Sequence, residues 1–175
     1  MILGIDPGFR KLWYAIIDYD LNIIDGGILL SDKNHIKSDN TTNIHTSKNP
    51  SSQIYASQNP NRQRVHDVYI YFVKLLQEYD IKKMVMEKLF FMETNKNNAE
   101  RVYAVRWILI NLCMSKWIQV IELTPIQVKK YITGNAKANK LLVQDIIQRI
   151  YNLTELPKYN DTADALWLAY IGTKT

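Results

Sequence analysis

Four acidic residues in this chain have the types and spacing from which a metal-dependent reaction could be built. Asp6 ends the apolar run Ile2-Leu3-Gly4-Ile5, and Glu87 ends a second run, Met84-Val85-Met86. Asp161 and Asp164 lie three residues apart in "NDTADALWLAY", so in a helix they share one face. Each has an ordinary explanation. Asp6 can open a turn with Pro7-Gly8, and Glu87 can be a surface acid beside Lys88. Asp161 can be an N-cap, and Asp164 a first-turn acid favoured by the helix dipole. Together they read differently: if the two strands are neighbours in one sheet and the acidic helix packs across their ends, three or four carboxylates converge. Without cations such a cluster repels itself and is poorly solvated, so hard divalent ions are expected to neutralise it. Oxygen-only ligands favour magnesium or manganese over zinc. Two such ions roughly 3.5–4 Å apart clamp a scissile phosphate, one activating water and the other stabilising the leaving oxygen. The chemistry expected of the set is phosphodiester hydrolysis.

The elements that must position these acids can be read from apolar periodicity. Ile2 to Ile5, Trp13 to Ile17 and Ile23 to Leu30 read as three antiparallel strands, with turn residues Asp20-Leu21-Asn22 between the last two. The first can then be central and the third near an edge. Ser31 to Asn61 is a long polar insertion with almost nothing to anchor it in a core. From Arg62 the pattern turns helical, with Val65, Val68/Tyr69, Phe72, Leu75/Leu76 and Tyr79 on the expected inner face. Lys83 to Glu87 reads as a buried parallel strand. The helix expected from Asn97 to Lys116 is apolar around most of its circumference and therefore needs cover on two sides, from the sheet and from another helix or subunit. Ile118 to Leu123 is a further strand, and Thr124-Pro125 caps a helix. The polar, basic loop "GNAKANK" at Gly134 to Lys140 precedes an amphipathic helix carrying Leu142/Val143, Ile146/Ile147 and Ile150. Pro157 breaks the chain before the last helix, Asp161 to Gly172. The predicted fold is α/β and ribonuclease-H-like: a mixed five-stranded sheet, three antiparallel strands then two parallel, flanked by helices. It forms a single domain over 1–175 with a polar insertion at about 31–61.

The 175 residues carry a net charge of +5, which biases partners toward polyanions without naming one. Cys113 is the sole cysteine, which excludes disulfide frameworks and cysteine-based zinc sites and fits a reducing compartment. The first apolar run is short and interrupted by Asp6, and no apolar stretch approaches the roughly 20 residues that span a bilayer, so neither secretion nor membrane insertion is expected.

At this point the residues resemble a known family, the RuvC Holliday-junction resolvases. "LGIDPG" at Leu3 to Gly8 looks like the family's first motif and "VMEKLFF" at Val85 to Phe91 like its Glu-bearing strand. "TPIQVKKYITGNAKANKLLV" at Thr124 to Val143 is similar to its Pro-x-x-Val-Lys segment and basic loop, and "DTADALWLA" at Asp161 to Ala169 looks like its acidic helix. Four motifs in order cover the chain from end to end. The resemblance implies that Asp6, Glu87, Asp161 and Asp164 are catalytic metal ligands for two Mg2+ (or Mn2+) ions, with Asp6 bridging them. It places Lys129 and Lys140 near the DNA backbone and scissile phosphate, Lys140 with a catalytic role, and Lys137 in the DNA-binding loop; solvated surface lysines are the alternative. Phe90 falls on an aromatic that stacks on a base at the junction centre, with a core position, or Phe91 in its place, as alternatives. It further implies a homodimer whose two sites nick a four-way DNA junction symmetrically in recombination and repair, a branch-migration helicase among the partners, and cytoplasmic action, with bacterial, viral and organellar origins open. Phe9, Leu12 and Trp13 stand where the family usually has small residues and a glycine-containing strand.

Three other functions compete. A related ribonuclease-H-like nuclease would act on structured RNA, whereas the "GNAKANK" loop after "QVKK" favours the junction enzyme. An actin-like or sugar-kinase ATPase would also carry an acid after its first strand, but its phosphate loop commonly continues with Gly-Thr or Gly-Ser, where this chain has Gly8-Phe9. A non-catalytic junction binder would have no need of all four acids.

Overall fold

The computed structural model describes residues 1–30, 60–88, 96–153 and 160–175, without the side chains of 96–98 and 160–162. The expected insertion lies outside the described residues except for its last two positions, which open the first helix. Phe90 and Phe91 lie outside them too. Five strands, β1 (Ile2–Asp6), β2 (Lys11–Ile17), β3 (Ile23–Leu30), β4 (Lys83–Glu87) and β5 (Gln119–Leu123), form one sheet in the order β3-β2-β1-β4-β5. β1 pairs antiparallel with β2 and parallel with β4; β2 pairs antiparallel with β3, and β4 parallel with β5. Five helices lie among the described residues: α1 (Pro60–Glu78), α2 (Lys96–Ser115), α3 (Pro125–Thr133), α4 (Lys140–Ile150) and α5 (Asn160–Gly172). β1 is central and β3 an edge, as the order of apolar runs predicts.

Why β1 is apolar at every position but its last follows from its place: helices cover both faces of the sheet, so both sets of alternating side chains are buried. Leu3 and Ile5, with Leu12, Tyr14, Ile16, Met84 and Met86, point to one face and pack against α1 and α2 through Val68, Phe72, Leu75, Val105 and Leu109. Ile2, with Trp13, Ala15, Ile17 and Val85, points to the other and meets Val128 of α3, Val143 and Ile147 of α4, and Leu166, Leu168 and Ala169 of α5. Burying each of the larger of these side chains contributes about 1.5–3 kcal/mol.

Two details depart from the periodic pattern. On α1 the inner face includes Arg64 whereas Tyr69 is exposed. Arg64 is buried because its guanidinium donates from Nε to Phe9 O (3.1 Å), from Nη1 to Leu30 O (3.1 Å) and from Nη2 to Leu29 O (2.7 Å). It ties α1 to the end of β3 and to the loop that follows Asp6. On α4, Leu142 is exposed and Gln144 is buried beside Val143 and Ile147. Thr124 caps α3 as expected, its hydroxyl accepting from Gln127 N–H while Gln127 Oε1 accepts from Thr124 N–H.

Candidate active site

Strand alternation fixes where the first two acids point. Asp6 continues the Ile2-Gly4 phase of β1 and Glu87 continues the Val85 phase of β4, so both face α5. The last β1–β4 pair is Ile5 with Met86, which makes Asp6 and Glu87 the next positions on adjacent strands. Strand spacing puts their backbones about 5 Å apart.

The direction of α5 brings its first turn to the same place. Gly4 lies so close under the helix that a Cβ there would sit 2.1 Å from Ala165 O and 2.5 Å from Ala169 N. At the other end of the helix, a Cβ on Gly172 would meet Ile2 and Val85 side chains at 2.6 and 2.9 Å. α5 therefore runs antiparallel to β1, with its N-terminus at the carboxyl ends of β1 and β4. From the Gly4–Ala165 contact, four residues back along the helix and two forward along the strand each cover about 6–7 Å, which brings the backbone of Asp161 level with Asp6.

The charges around Asp164 complete the picture. Asp164 is buried, and Lys140 at the start of α4 donates from Nζ to its Oδ2 at 2.9 Å. The same Nζ lies 5.9 Å from the centre of the Trp167 ring. Burial pushes the Glu87 carboxyl above its ordinary range, the Asp164 charge adds to this, and Lys140 and Lys129 pull the other way. Asp164, Lys140 and Lys129 thus all lie within electrostatic reach of Glu87. α3 supplies Lys129 because its capped start follows directly on the carboxyl end of β5.

Of the residues expected from sequence, Asp6, Glu87, Asp164, Lys129 and Lys140 come to one end of the sheet. Asp161 is on the first turn of α5, its side chain outside the described residues. Lys137 is exposed in the loop before α4, with its N–H on Asn135 Oδ1, and Phe90 falls outside the described residues. Among the described residues no three His, Cys, Asp or Glu side chains form a metal-binding group. The donors present nonetheless suit a hard divalent cation: they are carboxylates, and Glu87 and Asp164 each disfavour the other's charge in a partly desolvated setting.

Sequence reading missed Arg106. It falls on the buried stripe of α2 marked by Val102, Val105 and Leu109, and an arginine in that phase was the available signal. Its Nη1 donates to Glu87 O at 3.2 Å and its Nη2 bonds Glu122 Oε1. Phe9, large where a small residue was expected, packs against the α1–α2 core with Arg101 5.8 Å above its ring.

The architecture has solved counterparts. T. thermophilus RuvC in complex with Holliday junction substrate superposes with a TM-score of 0.70 at 20% identity, covering 96% of this chain and 88% of that one. The yeast mitochondrial Holliday junction resolvase Ydc2 gives 0.61 at 17% identity, covering 99% and 77%. These likenesses define the fold class, which is ribonuclease-H-like. In sequence, the model of the family described as Crossover junction endodeoxyribonuclease RuvC matches residues 47–171. The relative of that name from Fusobacterium nucleatum is 34% identical over 168 residues, 94% of this chain and 75% of that protein. The one from Thermotoga maritima is 32% identical over 169 residues, 97% and 88%. The chain belongs to this RuvC family of metal-dependent crossover junction endodeoxyribonucleases.

Proposed function

We propose that this protein resolves four-way DNA junctions by paired, symmetric nicks through metal-dependent phosphodiester hydrolysis, and that residues 1–175 form one nuclease domain. The observation that carries the reading is the meeting of Glu87, Asp164, Lys140 and Lys129 beside Asp6 at the carboxyl ends of β1 and β4. Asp6, Glu87, Asp161 and Asp164 would hold two Mg2+ (or Mn2+) ions. When bound, such ions supply Lewis acidity to the phosphate and lower the pKa of an attacking water. The chain's own part is to fix the carboxylates on rigid strand ends and a packed helix. Lys140 and Lys129 present positive charge to the phosphate backbone, Lys140 from a position already inside the acidic cluster. Lys137 would meet the backbone from the exposed loop and Phe90 would stack on a base near the junction centre. Family membership favours this reading over the structured-RNA and ATPase alternatives.

Two symmetric nicks need two sites, and α2 offers a face for a second copy. Tyr103, Trp107 and Met114 form an exposed stripe on α2, with Trp107 61% exposed, and Trp117 beyond the helix end is 97% exposed. Apolar exposure of this kind marks an interaction surface. An isologous homodimer through it would supply the second cover that the sequence calls for. A branch-migration helicase would be a further partner. Among the described residues no helix is long and apolar enough to cross a membrane. A junction-cutting role would place the protein with the DNA, in the cytoplasm or at the nucleoid.

The test is cleavage of a synthetic four-way junction by the purified protein with Mg2+, with linear duplex and structured RNA as comparison substrates. Asp6→Asn should abolish cutting and leave junction binding intact. Cutting that survives this substitution overturns the assignment of the site.

A further inference from the structure

We infer that Arg106 is a positioning residue for the reaction, acting from the far face of the sheet by holding the backbone that carries Glu87. The inference rests on the reading of Glu87 as a site carboxylate. It starts from the ladder between β1 and β4. The N–H of Lys88 bonds Leu123 O on β5, so alternation turns the backbone groups of Glu87 toward β1. Continuing the parallel register, in which Ile5 pairs with Met86, the donor due at Glu87 O is the N–H of residue 7. Residue 7 is Pro7, which has none. The carbonyl at the base of Glu87 would lack its strand partner at the point where the side chain must be held still, and a partly buried carbonyl needs one. Arg106 supplies it, donating from Nη1 at 3.2 Å.

The guanidinium is itself held in place. Arg106 is 5% exposed, and its Nη2 is engaged by Glu122 Oε1 on β5, opposite Met86 in the ladder. One planar group thus fastens the ends of β4 and β5 to α2, with two separate nitrogens on two separate acceptors. A lysine has one nitrogen on a flexible stem and cannot reproduce that fork. Arg106 approaches on the α2 side while the Glu87 carboxylate points to α5, so the arginine acts through the backbone and touches neither phosphate nor metal.

Arg106→Lys tests this, because it keeps the charge for Glu122 and loses the fork. Glu122→Ala is the control for mere stabilisation, since it removes the ion pair and leaves the bond to Glu87 O. The full chain is assayed for thermal melting, junction binding in Ca2+, single-turnover cleavage and the Mg2+ concentration giving half the maximal rate. Arg106→Lys should melt near the wild type and bind the junction within about threefold. It should cut about 10- to 100-fold more slowly and need several-fold more Mg2+, the scale expected when a reacting group is displaced by about 1 Å. Glu122→Ala should melt lower and cut within about threefold of the wild type. The inference is overturned if Arg106→Lys keeps the wild-type rate and Mg2+ dependence, or if Glu122→Ala loses rate as far as Arg106→Lys does. A wild-type protein that fails to cut the junction would instead refute the proposed function, so the two failures are distinguishable.

Discussion

Replacing Gly4 with alanine adds a single methyl group beneath α5 and should uncouple activity from stability. The new Cβ would lie 2.1 Å from Ala165 O, 2.5 Å from Ala169 N and 3.0 Å from the Ala169 methyl. Two of these neighbours are backbone atoms that no rotamer change can move. Restoring the 3.0 Å that real Cβ atoms keep requires about 0.9 Å of separation, through movement of α5 or of β1. Overpacking of this kind costs about 1–3 kcal/mol. At about 2–4 °C per kcal/mol for a chain of this size, melting should fall by about 2–12 °C. The catalytic effect should be larger in proportion, because the displaced helix carries Asp161 and Asp164 and the strand carries Asp6. A misplacement near 1 Å can cost about 100-fold in rate. Gly26→Ala is the matched control: its Cβ would come no closer than 3.3 Å, to Tyr14 O, and lies over β2 rather than beneath α5. Melting curves and single-turnover junction cleavage below the lower melting range make the measurement. A Gly4→Ala protein that melts like the wild type and cuts within twofold of it would refute the close approach of α5 to β1 and the site geometry built on it.

Two further perturbations probe other parts of the argument. Burial and the Asp164 charge raise the Glu87 carboxyl, so the folded chain binds that proton more tightly than the unfolded one. This group's contribution to stability is then greatest below the ordinary carboxylate range and declines as pH climbs through the raised value. In chelator at about pH 8, Glu87→Gln should melt above the wild type, and the gap should close on acidification; a gap that widens in acid would contradict the sign. Trp107→Glu places a charge in the centre of the exposed α2 stripe. Sedimentation should then report a monomer with unchanged circular dichroism and single rather than paired nicks on a cruciform plasmid; a persistent dimer would move the interface elsewhere.

Much of the fold was legible because burial on both faces leaves a simple trace. Ile2-Leu3-Gly4-Ile5 and Met84-Val85-Met86 read as buried strands since helices cover them from either side, and an acid ending such a run stands out. α2 was read as buried on two sides; its sheet-facing stripe is buried, whereas Tyr103, Trp107 and Met114 on the other side are exposed in the single chain. The buried arginines were not legible. Arg64 and Arg106 stand in phase with buried apolar stripes, but the sequence does not say what would satisfy a guanidinium there; what buries them is a set of carbonyl and carboxylate acceptors at strand ends. Those acceptors exist only once the register is known. The Tyr69 error on α1 is of another kind: the spacing allows Val68/Tyr69 on the inner face, and only Val68 is buried there.

Helix electrostatics separates the two explanations for the C-terminal acids. Asp161 and Asp164 at the start of α5 are where a helix dipole favours negative charge, so their presence would be explained without any reaction. Lys140 breaks that symmetry. It is the first residue of α4, following the N-cap Asn139, in a first turn that contains no acid. There the dipole opposes a positive charge, by about 0.3–1 kcal/mol. Local helix chemistry would put aspartate or glutamate at this position. The lysine makes sense only across the gap, where its Nζ reaches Asp164 Oδ2 and its charge offsets that of Glu87. A residue that is locally wrong and compensated by another element is the pattern expected at functional sites. Capping alone would account for the acids without Lys140; an acidic cluster that must be kept together, and then opened to a phosphate, accounts for both.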